Sequence, residues 1–175
     1  MKGCVVNLFA GPGAGKSTLA AQIYAELKKR HIDAEYVPEF PKELVYEERY
    51  LTLKDQVFVF ATQNHKIWTA ARHNQVVVTD SPILLSTVYN PETSVNFRTL
   101  VVEMHRQYQS LNIVLKRSPE THTPVGRVHS LTESISLDNR IRTVLEGEGI
   151  DFAEFDPVND NLRVLLELII QELGL

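Results

Sequence analysis

Cys4-Val5-Val6-Asn7-Leu8-Phe9-Ala10-Gly11-Pro12-Gly13-Ala14-Gly15-Lys16-Ser17-Thr18 is the stretch on which the fold turns. Its first six residues form a short, nearly uninterrupted apolar run, the pattern of a strand buried on both faces of a parallel sheet. After Thr18 the spacing changes, and Leu19, Ile23 and Leu27 recur at the helical interval. Between strand and helix, the run from Ala10 to Ser17 fits the Walker A pattern with alanine in place of the first glycine. Such a loop turns successive backbone N–H groups inward around a phosphate, which a Cβ at several positions would obstruct. The helix N-terminus adds partial positive charge. Gly11, Pro12, Gly13, Ala14, Gly15, Lys16, Ser17 and Thr18 are therefore expected to hold a nucleotide. Lys16 would reach the β and γ phosphates, and the Ser17 hydroxyl would face Mg2+.

Working outward, Ala34–Val37, Val76–Thr79 and Ile113–Leu115 resemble the first strand, and Ile150–Phe155 is a weaker candidate. Helical spacing joins Val57, Phe58, Ala61 and Ile67, and later Leu162, Leu165, Leu166 and Ile169. Strands alternating with helices imply an α/β fold with a parallel sheet. The 175 residues contain no internal repeat, low-complexity tract or linker, so one domain over 1–175 is expected. A chain of this length buries roughly 70% of its extended surface, enough for one core.

A formal charge of −4, from 18 basic and 22 acidic residues, argues against a protein that coats duplex DNA through a broad basic face. The longest apolar runs fall well short of the ~20 residues a membrane helix needs, and no signal-peptide core follows Lys2, so the expectation is a cytoplasmic protein without membrane contact. The one cysteine, Cys4, excludes an internal disulfide and a Cys-based zinc site, and its apolar neighbours suit a small core residue.

In an open parallel sheet ligands bind beyond the carboxyl ends of the strands. Glu39 follows one candidate strand and Asp80 another. Phosphoryl transfer needs one carboxylate to orient or deprotonate the attacking hydroxyl and another to hold hydrated Mg2+. Glu39, which would meet the acceptor, and Asp80, which would serve the metal and the substrate, suit those tasks. The plainer alternatives are a turn or helix cap for Asp80 and a solvated acid beside Glu43, Glu47 and Glu48 for Glu39.

From His105 to Thr143, six bases (Arg106, Lys116, Arg117, Arg127, Arg140, Arg142) face three acids (Glu120, Glu133, Asp138). The turn-rich stretch 118–130 within it reads as a long loop, and an arginine on such a loop can close over a transferring phosphoryl group. Arg117 and Arg127 are the candidates, with a lid at about 117–130, and Arg140 is a weaker one on the following helix. This local basic excess could also neutralise phosphates of a short strand or a flipped nucleotide. Gln63 could hydrogen-bond a nucleobase edge and Trp68 could stack on it, although an aromatic stripe at helical spacing also suits a core. His105, His122 and His129 lack metal-ligand spacing and read as surface residues.

With the phosphate loop, Glu39, Thr79-Asp80-Ser81-Pro82 and Gly126-Arg127 in order, the chain resembles the small P-loop nucleoside and nucleotide kinases over nearly its whole length. It is most similar to the ribosylnicotinamide-kinase-like ATPases and the small phage P-loop kinases, which include kinases acting on 5-hydroxymethyluracil in DNA. The resemblance implies a three-layer fold with a five-stranded parallel sheet of order 2-3-1-4-5, ATP and Mg2+ as cosubstrates, and a lid arginine. It implies a nucleoside, nucleotide or modified-DNA acceptor. Asp80 matches the acid of the family's Asp-Arg-Ser type motif, whose arginine is replaced here by Ser81. Glu39 matches the family's general base, and adenine would lie between Arg117 and the stretch 156–159.

Overall fold

The computed structural model describes residues 3–89, 94–117 and 131–174. Strands β1 (Cys4–Phe9), β2 (Ala34–Val37), β3 (Val76–Thr79), β4 (Ser110–Leu115) and β5 (Ala153–Phe155) form one sheet in the order β2-β3-β1-β4-β5. All its pairings are parallel. β1 takes the central place because every one of its residues is buried. Alternation sends Val5 and Phe9 to one face, with Phe60, Ile67, Val101 and Ile141. Val6 and Leu8 go to the other, with Leu19, Ile23, Leu166 and Ile169. Asn7 is the polar exception, and its Nδ2 donates to Asn112 Oδ1 at 3.1 Å across the β1–β4 pair, which satisfies a buried amide.

Helices α1 (Lys16–Lys29) and α8 (Leu162–Leu173) supply the core of one face. Helices α4 (Gln56–His73), α6 (Val95–Arg106) and α7 (Leu131–Gly147) supply that of the other. Shorter helices, α2 (Phe40–Tyr46) and α3 (Tyr50–Lys54), follow β2, and α5 (Leu85–Tyr89) follows β3. Side chains start three of the helices: Asp55 accepts from Phe58 N, Ser94 from Phe97 N and Asn161 from Arg163 N. Among the described residues, no helix is long and apolar enough to cross a membrane.

Four expectations change. The last strand is shorter than Ile150–Phe155, because Ile150 and Phe152 pack against the core before β5 begins at Ala153. β4 begins at Ser110, three residues ahead of the apolar run. The inward face of α4 is Val59, Phe60, Gln63, Ile67, Ala70 and Ala71, whereas Val57 is 61% exposed. The first turn of α4 meets α2 instead of the sheet: Val59 clusters with Phe40 and Leu44, and the Phe58 ring meets Phe40 edge-on at 5.7 Å. His105 is buried in α6, and burial pushes its imidazole down to about 4, so it is neutral at pH 7.

Candidate active site

The carboxyl ends of β1, β2 and β3 carry the phosphate loop, Glu39 and Asp80. In the loop, Gly13 and Gly15 both hold φ at 88°, a conformation that L side chains rarely adopt. Gly15 occupies the N-cap position of α1, and a Cβ built there would meet nothing within 4 Å, so the space over the helix N-terminus is open. Lys16 Nζ donates to Ala10 O at 2.8 Å and to Gly11 O at 3.1 Å, which folds the ammonium back across the loop. Burial holds the Lys16 pKa below its ordinary value, opposed by the charges of Glu39, Asp80 and Asp138.

Glu39 is the N-cap residue of α2, yet its side chain makes no capping bond. Its carboxyl is raised above the usual range, first by burial and then by Asp80, with Lys16 pulling the other way. The segment is fixed from behind. Gln63 Oε1 accepts from Phe40 N at 2.9 Å, and Gln63 Nε2 donates to Pro38 O at 3.4 Å and to Thr79 Oγ1 at 3.5 Å. Thr79 Oγ1 donates to Val37 O at 2.9 Å and accepts from Ser81 N at 3.1 Å. This network stitches the end of β2 to the end of β3, so Glu39 and Asp80 keep a set relation. Gln63, expected at a nucleobase edge, is 3% exposed and spends its amide inside the protein.

Asp80 is 2% exposed. Its Oδ2 accepts from the Tyr36 hydroxyl at 2.9 Å, while Oδ1 is buried and has no partner among the described residues. Tyr36 also interacts with the Ser17 side chain, and burial together with Asp80 raises its hydroxyl pKa. An orphaned buried carboxylate oxygen beside an exposed serine suits a hydrated divalent cation. Among the described residues, no three His, Cys, Asp or Glu side chains cluster for a metal.

Arg117, at the end of β4, lies against the loop. Its Nη1 donates to Pro12 O at 2.9 Å and its Nε to Asp138 Oδ2 at 2.7 Å. Arg140 donates to Val88 O instead of facing the loop. Arg127, His122, His129 and the rest of the expected lid after Arg117 lie outside the described residues. Trp68 is 38% exposed, with the Arg72 guanidinium 4.7 Å from its ring centroid.

Among the described residues, each arginine or lysine between 105 and 143 already meets a partner within the fold. Arg106 pairs with Glu148, Lys116 and Arg142 with Glu154, Arg117 with Asp138, and Arg140 with a carbonyl. Three site residues escaped the sequence reading: Tyr36, Asp138 and Tyr89. Tyr89 is 40% exposed as a whole, and partial desolvation of its hydroxyl, followed by the charges of Glu39 and Asp138, raises its pKa. Tyr36 stands three residues before Glu39, and its place near the carboxyl end of a strand is the signal that could have found it. Asp138 and Tyr89 carry no such signal, since each meets the site only through the fold.

An AAA domain family matches residues 5–160. No curated protein matches the chain. Among solved structures, NadR protein in complex with NR aligns with a TM-score of 0.68 at 16% identity, over 99% of this chain and 52% of that one. The chain thus spans about half the length of that relative. Thymidylate kinase from Ehrlichia chaffeensis aligns at 0.63 and 10% identity over 100% of both chains. APS kinase CysC from Mycobacterium tuberculosis aligns at 0.54 and 13% identity over 99% of both. The shared fold is that of the P-loop nucleotide kinases, with the sheet order described above.

Proposed function

This chain belongs to the AAA domain family, and on that premise we propose that it is an ATP-dependent kinase. It transfers the γ-phosphoryl group to a hydroxyl of a nucleoside or nucleotide-type acceptor. The observation that carries the reading is the placement of the phosphate loop with Lys16, of Glu39 and of Asp80, with its unpartnered buried Oδ1, at the carboxyl ends of three adjacent strands. The names of the structural neighbours, two kinases and a protein bound to NR, support the same class of chemistry.

In this reading the backbone N–H groups from Gly13 to Thr18 bind the phosphates. Lys16 swings from the loop carbonyls to the β and γ oxygens, where its charge offsets the charge that develops in the transition state. Ser17 and Asp80 would hold Mg2+, which when bound with ATP neutralises the phosphate oxygens. Tyr36 keeps the Asp80 carboxylate turned so that Oδ1 stays free. Glu39 accepts the proton of the acceptor hydroxyl as the acceptor oxygen bonds to phosphorus and ADP departs. A base with an elevated pKa serves this step well near neutral pH. Arg127 would add positive charge from the lid, and Arg117 would border the nucleotide.

A small acceptor is favoured over a hydroxymethylated base or 5′-hydroxyl in DNA, because the described bases between 105 and 143 are paired within the protein. Incubation with γ-labelled ATP and four acceptors tests this: nucleosides, nucleotides, nicotinamide riboside and hydroxymethylated oligonucleotide. Label is expected on one of the first three. Transfer to the oligonucleotide alone would reverse the choice of acceptor, and release of free phosphate unaffected by any acceptor would make the protein an NTPase.

A further inference from the structure

We propose that Asp138 is a positioning residue of the phosphate loop, acting through the Gly11 amide and Arg117 without touching the nucleotide. The inference rests on the kinase reading above and deepens it. One carboxylate serves both partners. Asp138 Oδ1 accepts from Gly11 N at 2.5 Å and from Arg117 Nη2 at 3.4 Å, and Oδ2 accepts from Arg117 Nε at 2.7 Å. Arg117 Nη1 then donates to Pro12 O at 2.9 Å. The ion pair thereby holds an amide and a carbonyl of two consecutive loop residues. Both side chains are shielded from water, at 8% exposure for Arg117 and 15% for Asp138, so removing one partner strands the other charge.

The packing leaves little room for the loop to find another position. A Cβ on Gly11 would stand 2.7 Å from Ser134 O, 3.1 Å from Asp138 Oδ1 and 3.2 Å from Arg117 Nη2, so α7 closes directly on the loop entrance. The carbonyls of Ala10 and Gly11 receive the Lys16 ammonium. The residue whose amide Asp138 fixes therefore also sets where Lys16 rests before it moves to phosphate. An ordinary structural salt bridge would support the fold alone. A positioning pair also sets nucleotide affinity.

Calorimetric binding of Mg-ATP and separate KM values for ATP and acceptor distinguish the two. Asp138→Ala should weaken Mg-ATP binding roughly tenfold, the loss typical of a hydrogen bond to a charged group. KM for ATP should rise with it, while acceptor KM stays within about twofold. Gly11 amide exchange should accelerate in the nucleotide-free variant, with β1 amides unchanged. The isosteric Asp138→Asn keeps one oxygen for Gly11 N and should fall between wild type and Asp138→Ala. Arg117→Met combined with Asp138→Ala should bind no worse than the weaker single variant, since the pair acts as a unit. Should Asp138→Ala not fold, Asp138→Asn carries the same test. Wild-type affinity for Mg-ATP in a folded Asp138 variant overturns the positioning role and leaves the kinase reading intact. A wild-type protein that binds no Mg-ATP overturns both.

Discussion

Burial depresses the Lys16 pKa against the opposing charges of Glu39, Asp80 and Asp138, so a buried ammonium costs the resting protein stability and suits a group awaiting phosphate. Lys16→Ala should lower turnover by at least ~10² while the far-ultraviolet dichroism stays that of the wild type, in line with the loss of an electrostatic stabiliser. Glu39 and Asp80 should separate by assay. Glu39→Gln should stop transfer yet bind Mg-ATP normally, whereas Asp80→Asn should also lose the Mg2+-dependent part of nucleotide binding. Equal transfer rates in wild type and Glu39→Gln would remove Glu39 from the mechanism. The raised Glu39 pKa fixes the sign of two pH effects. Transfer needs the ionised base, so the acid limb of the rate profile should lie above the ordinary Glu value of about 4.3. For stability, the folded chain keeps this proton to higher pH than the unfolded one. The contribution favours folding below the ordinary value and is lost as pH rises through the raised one. Glu39→Gln should therefore melt no lower than wild type at neutral pH, with any advantage gone by about pH 4.

The elements that carry these residues differ in how far the sequence revealed them. β1, the loop and α1 were plain because a buried strand, a glycine-rich turn and a helical period follow one another without a gap. The strand before Asp80 is equally legible as the β-branched run Val76–Thr79, whereas the strand before Glu39, Ala34–Val37, is marked only by its short apolar alternation. The apolar spacing of α4 predicts the wrong phase, since its first turn packs on α2 and only later turns meet the sheet, which no single period describes. Gln63 is the consequence: its position looked open to a base, but it faces inward and braces the Glu39 segment. Gln63→Leu should leave Phe40 N without its partner and cost about 1–3 kcal/mol in chemical denaturation. Transfer should fall more than ATP affinity, because the disturbed segment carries the base and not the phosphate loop. Asp138 was illegible for a different reason, as its bond to Gly11 spans 127 residues and no local pattern encodes it. Gly11→Ala should cost about 1–3 kcal/mol through overpacking against the Ser134 carbonyl, seen as a lower denaturation midpoint with unchanged slope.

Across the whole molecule, the net charge of −4 and the internal pairing of the described bases in the 105–143 stretch give the same sign of answer about the acceptor. A small acceptor of little charge should bind almost independently of salt, whereas a nucleic acid would lose affinity steeply, because each phosphate neutralised on binding releases counterions and that gain shrinks as salt rises. Titrating acceptor KM between about 50 and 200 mM salt should therefore return a nearly flat line. A steep rise in KM with salt would reopen the DNA-borne hydroxyl. Every expected effect on transfer depends on the ends of β1, β2 and β3 moving a phosphoryl group from ATP to a hydroxyl, as proposed. That step is tested most directly by rapid quench with γ-labelled ATP and the acceptor identified by screening, in wild type, Lys16→Ala and Glu39→Gln. Wild type should place the label on the acceptor far faster than on water, and both variants should lose this transfer. Label released as free phosphate at the same rate with and without acceptor, or transfer undiminished in either variant, would contradict the proposed step.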